Sequence, residues 1–219
     1  MDPNFWLERW QKNEIGFHAN DVQPALVKHW PKLKLVLGTN VLVPLCGKSI
    51  DMVWLVEQGH KVIGAELSEL AIEAFFAEQK LMPAVTAVAG FVVKSAGPYE
   101  LWCGDFFALP KASIKPITAI YDRAALVAMP PALQPKYAAK LVDLAEPNTQ
   151  ILLIGLDYNT VEIQGPPFST PQAQVRSLFE NNFDIAVLDV RDGLAKSEHL
   201  KKRGVTRLEE ATYLLRRQS

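Results

Sequence analysis

The sequence is poor in the residues that several kinds of chemistry need. Its 219 residues include only two cysteines, Cys46 and Cys103, too few for a disulfide framework or a cysteine-rich zinc site. Four histidines, His18, His29, His60 and His199, lie without metal-ligand spacing, so no metal site is expected. There is no G-x-S-x-G elbow and no H-E-x-x-H pair, which removes the common serine hydrolases and zinc proteases. Positive charge is not in excess: 23 Lys and Arg against 24 Asp and Glu leave a net charge of -1. No basic field therefore favours nucleic acid or an anionic membrane, and the short Lys201–Arg203 run reads as a solvated loop. Every apolar run is broken by Pro, Gly or charge before it reaches membrane length. The opening MDPNFWLERW carries two acids and two tryptophans and does not read as a signal peptide. These absences predict a soluble, cytoplasmic protein that binds neither nucleic acid nor membrane.

What is present is the material of a folded domain. The chain is 49% hydrophobic and 21% charged, and a chain of this length buries roughly 70% of its unfolded surface. Short β-branched runs alternate with helical periodicity. Strands are expected at 40–45, 60–66, 99–106, 117–121, 150–156, 183–190 and 206–215, with one short strand near 91–93 in an otherwise irregular excursion. Helices are expected at 50–58, from a Ser68 cap onward, at 133–144 and after Thr170-Pro171, with none between the last two strands. The pattern is α/β: a seven-stranded, mainly parallel sheet with an antiparallel hairpin at one edge. Residues 1–38 form an N-terminal cover of amphipathic helices, near 5–11 and 22–34. Residues 39–219 form the core, so 1–219 is expected to be one domain.

In open α/β sheets ligands bind where strands end in their carboxyl direction, and that rule selects four loops. The first, Leu45-Cys46-Gly47-Lys48-Ser49, imitates a phosphate loop, but Leu42 occupies the position of the required upstream glycine. It remains a small-residue turn at a helix N-terminus, able to offer backbone N–H groups, although an ordinary strand-to-helix turn has the same look. Cys46 stands where a thiol would be activated, yet no histidine partner is evident and a small buried cysteine explains it better. The second loop follows Glu66, about twenty residues on, the spacing at which nucleoside sites place an acid for ribose hydroxyls. A strand-end glutamate facing water fits that spacing equally well. Asp105 and Phe106, after the strand holding Trp102, suit an adenine amine and ring, and equally a loop acid with a core aromatic. Asp122-Arg123 ends the strand that begins at Ile117, where a structural ion pair is the plain alternative. A turn this poor in glycine argues against a pyrophosphate and hence a nicotinamide dinucleotide. A cofactor with one ribose, one adenine and no phosphate does not need the glycines. A nucleotide-binding module without turnover keeps the same features.

Trp6 and Trp10 in Phe-Trp-Leu-Glu-Arg-Trp, Gly16-Phe17-His18, Val43-Pro-Leu-Cys-Gly-Lys48, Gly64-Ala-Glu-Leu-Ser-Glu69, Asp122-Arg123 and Gly165-Pro-Pro-Phe168 together resemble the thiopurine S-methyltransferase family, in particular its bacterial branch. The ending 208–215 is also similar, so the likeness runs nearly end to end. Tyr121 and Ala124 stand where the family has Trp and Gly. The resemblance implies the class I methyltransferase fold and S-adenosylmethionine as methyl donor. It assigns cofactor binding to Trp10, Leu45, Glu66 and Arg123, with Asp105 and Phe106 on the adenine side, and places Phe17 near the substrate. It implies methylation of sulfur on aromatic and heterocyclic thiols, with selenium and tellurium compounds as further acceptors in bacterial members. A monomer acting on a small-molecule thiol is expected.

Overall fold

The computed structural model describes residues 3–218, in two compact units, 1–121 and 122–219. The first unit begins with helix α1 (Pro3–Gln11) and helix α2 (Pro24–His29), which runs into a 3-10 turn over Trp30–Leu33. Strand β1 (Asn40–Pro44) then leads through a tight turn to α3 (Asp51–Glu57), and β2 (Lys61–Glu66) to α4 (Glu69–Glu78). Strands β3 (Ala84–Val88), β4 (Phe91–Ala96), β5 (Tyr99–Cys103) and the start of β6 (Ile117–Arg123) follow. Within this unit the strand order is β3-β4-β5-β2-β1-β6. β1 is parallel to β2 and β6, and β2 is parallel to β5, so these strands all end at one edge.

Local chemistry explains the elements. β1 and β2 are continuous apolar runs with nearly every residue buried, the mark of a parallel strand covered on both faces. The Ser68 side chain accepts from the Ala71 N–H and caps α4, which buries Ala71, Ile72, Phe75 and Phe76. Gly59 ends the α3 turn at φ 86, a conformation that glycine adopts without steric cost.

In the second unit, α5 (Gln134–Leu144) precedes β7 (Ala145–Tyr158), and α6 (Gln172–Phe179) precedes β8 (Phe183–Asp192). Helix α7 (Glu198–Lys202) comes next, and β9 (Leu208–Arg217) closes the chain, in the order β7-β9-β8 with both pairings antiparallel. Each of the seven expected strands is present.

Three details differ from the sequence reading. The excursion after α4 is a full hairpin: the short strand expected near 91–93 is β4, and β3 pairs with it as an unexpected partner. Ala89 and Gly90, at φ 47 and 86, form its two-residue turn. The strand expected over 99–106 stops at Cys103, where Gly104 takes φ 158 and a Cβ would lie 2.6 Å from the Phe91 ring. And α7 does stand between the last two strands. It is short and exposed except for Leu200, too brief to show a period.

Candidate active site

The parallel edge of the first unit gathers its chemistry around one buried carboxylate. Glu66, the last residue of β2, is 7% exposed. Its Oε2 accepts from the Gly47 N–H and its Oε1 from the Ser68 N–H, each at 2.8 Å. The side chain thus clamps the turn after β1 to the turn after β2. Burial pushes its pKa above the usual value, and the main-chain donors at Ser68, Gly47 and Leu67 pull part of the way back. Main-chain donors at Gly47, Ser68 and Leu67 face the carboxylate, and its two oxygens together offer more lone pairs than these donors take. A glutamate facing water is excluded.

The β1 turn is held in an unusual shape. Leu45 is a non-glycine residue at φ 49, and Gly47 lies at φ 52. Left-handed backbone at a branched side chain costs on the order of 1–2 kcal/mol and collects at ligand sites. Lys48 turns away, its Nζ 2.5 Å from a Glu78 carboxylate oxygen, so its charge is spent on α4. Cys46 is buried, and a Cβ at position 64 would sit 2.7 Å from its sulfur, so Gly64 makes room for it. Burial first, and then the Glu66 charge, push the Cys46 thiol well up, which leaves it a neutral packing group and no nucleophile.

The N-terminal aromatics cover this turn. A Cβ on Gly47 would meet the Trp10 ring at 3.0 Å. Trp10 packs edge-on to Phe17 at 5.6 Å between centroids, and Trp6 does so at 5.5 Å. Helix α1 nevertheless has no buried residue. Its Trp10 is the side chain that reaches the turn.

Asp105 and Phe106 follow β5, whose Cys103 is the register partner of Glu66. The Gly104 N–H donates to the Glu66 carbonyl at 2.9 Å, which brings this loop beside the clamp. Asp105 is exposed and caps a one-turn 3-10 segment by accepting from the Phe107 N–H at 2.9 Å. Phe106 is 6% exposed, so it reaches any ligand by an edge only. The structure therefore brings together Trp10, Phe17, Leu45, Glu66 and the Asp105 loop. Arg123 ends β6 in the second unit, half-buried, followed by Ala124 at φ 61.

The acid beside Arg123 is a structural centre of its own unit. Asp122 is fully buried and accepts from the Tyr137 hydroxyl at 2.7 Å and the Leu126 N–H at 3.1 Å. Burial pushes its carboxyl up to about 6 against those donors. Sequence reasoning missed Asp51, which accepts from the Gln23 N–H and the Tyr121 hydroxyl, each at 2.8 Å. Its only signal was an acid at the start of α3 beside apolar residues. Tyr121 in place of tryptophan supplies the hydroxyl for that bond. Among the described residues no group of three or more His, Cys, Asp and Glu is placed to hold a metal ion, and no helix is long and apolar enough to cross a membrane.

Comparison with known proteins identifies the family and the fold. The family model for thiopurine S-methyltransferase matches residues 1–218. A thiopurine S-methyltransferase of Pseudomonas fluorescens strain SBW25 is 47% identical over 215 residues, covering 98% of this chain and 99% of that protein. Among solved structures, the 1,6-didemethyltoxoflavin-N1-methyltransferase of Burkholderia thailandensis, with its substrate and S-adenosylhomocysteine bound, superposes with TM-score 0.63 at 15% identity. That match covers 99% of this chain and 87% of the other. The [4+2]-cyclase SpnF superposes almost as well, with TM-score 0.61 at 13% identity, covering 91% of this chain and 85% of that one. The fold alone thus does not fix the reaction; the site and the sequence family must.

Proposed function

Since the chain belongs to the thiopurine S-methyltransferase family and is an S-adenosylmethionine-dependent S-methyltransferase, we propose that its acceptors are aromatic and heterocyclic thiols, thiopurines among them. Selenium and tellurium compounds are proposed as further acceptors, because they present the same soft nucleophile. The buried Glu66 clamp is the observation that carries the reading. It sets a buried carboxylate, with acceptor capacity beyond its main-chain donors, next to a glycine-poor turn that does not suit a pyrophosphate.

In this reading Glu66 takes the ribose hydroxyls, Leu45 and Trp10 line the rest of the cofactor, and Asp105 and Phe106 meet the adenine. Phe17 faces the thiol. When bound, S-adenosylmethionine supplies an electrophilic methyl on a sulfonium. The protein's work is alignment and exclusion of water, which suits the aromatic cover of Trp6, Trp10 and Phe17. Heteroaromatic thiols ionise more readily than alkyl thiols, so their proton is lost to solvent and no strong base is needed. Arg123 orients the thiol and favours its thiolate by opposite charge. We propose a monomer in the cytoplasm; the two free cysteines fit a reducing compartment.

The test is kcat/KM against pH for wild type, Arg123→Lys and Arg123→Ala with one thiopurine. The alanine variant should lose most activity and shift its profile upward in pH, and the lysine variant should keep part. An unshifted profile with loss of cofactor affinity alone would return Arg123 to the cofactor and overturn the thiolate role.

A further inference from the structure

A proline loop in the second unit is held by side chains in a way that the family likeness does not explain. Gly165-Pro166-Pro167 has cis bonds at both prolines, and the prolines carry no N–H with which to join a ladder. Its three successive carbonyls are each taken by a side chain. Arg203 donates from Nη2 to the Gly165 carbonyl at 3.3 Å and from Nη1 to the Pro166 carbonyl at 2.6 Å. The Tyr158 hydroxyl donates to the Pro167 carbonyl at 2.6 Å. Upstream, Glu162 accepts from the Thr206 hydroxyl at 2.6 Å and from its N–H at 3.0 Å.

What this loop supports is the segment after Arg123. The Phe168 N–H donates to the Val127 carbonyl at 2.6 Å, while Asp122 holds the Leu126 N–H from the other side. Residues 124–128 are thus fixed between the buried acid and the proline loop. Tyr158 belongs to a buried cluster with Ile163, Leu200, Val205 and Leu208. Arg203 is different: it is exposed, and both of its bonds to this loop end on backbone oxygens.

We propose that Arg203 is a positioning residue for the thiol: its two bonds hold the 165–168 loop, and through Val127 that loop sets the segment carrying Arg123. The proposal rests on the reading that Arg123 serves the thiol. Because Arg203 lies outside the core, its loss should act on substrate placement and leave the fold and the cofactor site alone.

The experiment uses the full chain with S-adenosylmethionine and a thiopurine. Arg203→Met keeps the aliphatic stem and removes both donors; Arg203→Lys keeps one. Two lost charge-assisted bonds predict that the methionine variant raises the thiol KM roughly tenfold, with kcat within about twofold of wild type. Its affinity for S-adenosylhomocysteine and its melting temperature should stay at wild-type values, and lysine should recover part of the KM. Tyr158→Phe should raise the same KM. An unchanged thiol KM in Arg203→Met overturns the proposal, as does a joint fall of kcat and cofactor affinity. Arg123→Ala, assayed in parallel, separates the two levels. If it keeps the wild-type thiol KM, the underlying reading of Arg123 fails. If it changes that KM while Arg203→Met does not, only the positioning role fails.

Discussion

Glu66 has two tasks, and the structure changes what its removal should do. Truncating a strand-end acid that faced water would weaken ligand binding and leave the fold intact. With both oxygens accepting main-chain N–H groups in a buried site, Glu66→Ala strands two donors, at about 1–3 kcal/mol each. We therefore predict a fall in unfolding free energy of about 2–4 kcal/mol by urea titration together with weaker S-adenosylhomocysteine binding by calorimetry. Glu66→Gln should lose stability as well, because its amide N–H₂ faces one of the two donors. Ala124 offers the opposite case. It sits at φ 61, where the family's glycine would be free of strain. Ala124→Gly should relieve more strain than it adds in unfolded-chain entropy, a net gain of about 0.5 kcal/mol in the same titration. A loss of stability would show that the Ala124 methyl is packed and not strained.

The elements differ in how plainly the sequence announced them. β1, β2 and the start of β6 were legible because strands buried on both faces must be continuous apolar runs. Of the hairpin, β4 was legible near 91–93, but β3 was not, because it is an exposed edge whose Ala-Val-Thr-Ala-Val shows no alternation. Helix α1 was legible from its aromatic spacing, but its lack of any buried residue was not. That lack has a dynamic consequence, since an element with few buried contacts opens at low free-energy cost. Amide hydrogen exchange over residues 3–17 should be fast in the free protein and slow several-fold when S-adenosylhomocysteine is added. Equal rates with and without the ligand would separate Trp10 and Phe17 from the ligand site.

At the scale of the whole molecule, acid stability is set by buried groups of opposite sign. The Asp122 carboxyl titrates near 6 when folded and near 3.8 when unfolded, so between these values the folded state keeps a proton that the unfolded state has released. Its contribution is complete below about 4 and is lost as pH rises to about 6, by about 3 kcal/mol at most. His60 acts in reverse. Burial lowers its pKa, so it favours the folded state above 6.5 and loses that contribution as pH falls. Asp122→Asn removes only the first effect, so the wild-type minus variant stability should decline between pH 4 and 6; a flat difference would mean that Asp122 ionises as readily folded as unfolded.

Much of the candidate site was legible in the sequence because strand ends and helix caps fix where an acid must stand. The Glu66 clamp was not, because its partners are backbone atoms that every residue carries. The Asp51–Tyr121 bond was not, because it joins residues 70 apart.

The central claim is methyl transfer from S-adenosylmethionine to the sulfur of a heteroaromatic thiol, and its most direct test is to follow a labelled methyl group. Purified full-length protein would be incubated with methyl-labelled S-adenosylmethionine and a thiopurine in the presence of a chelator, and the product's position of label read by mass spectrometry. The account predicts an S-methyl product, formed at the same rate with and without chelator, and formed more slowly by Glu66→Gln. Label on a ring nitrogen, or no labelled product from any aromatic thiol or selenol supplied, would contradict it.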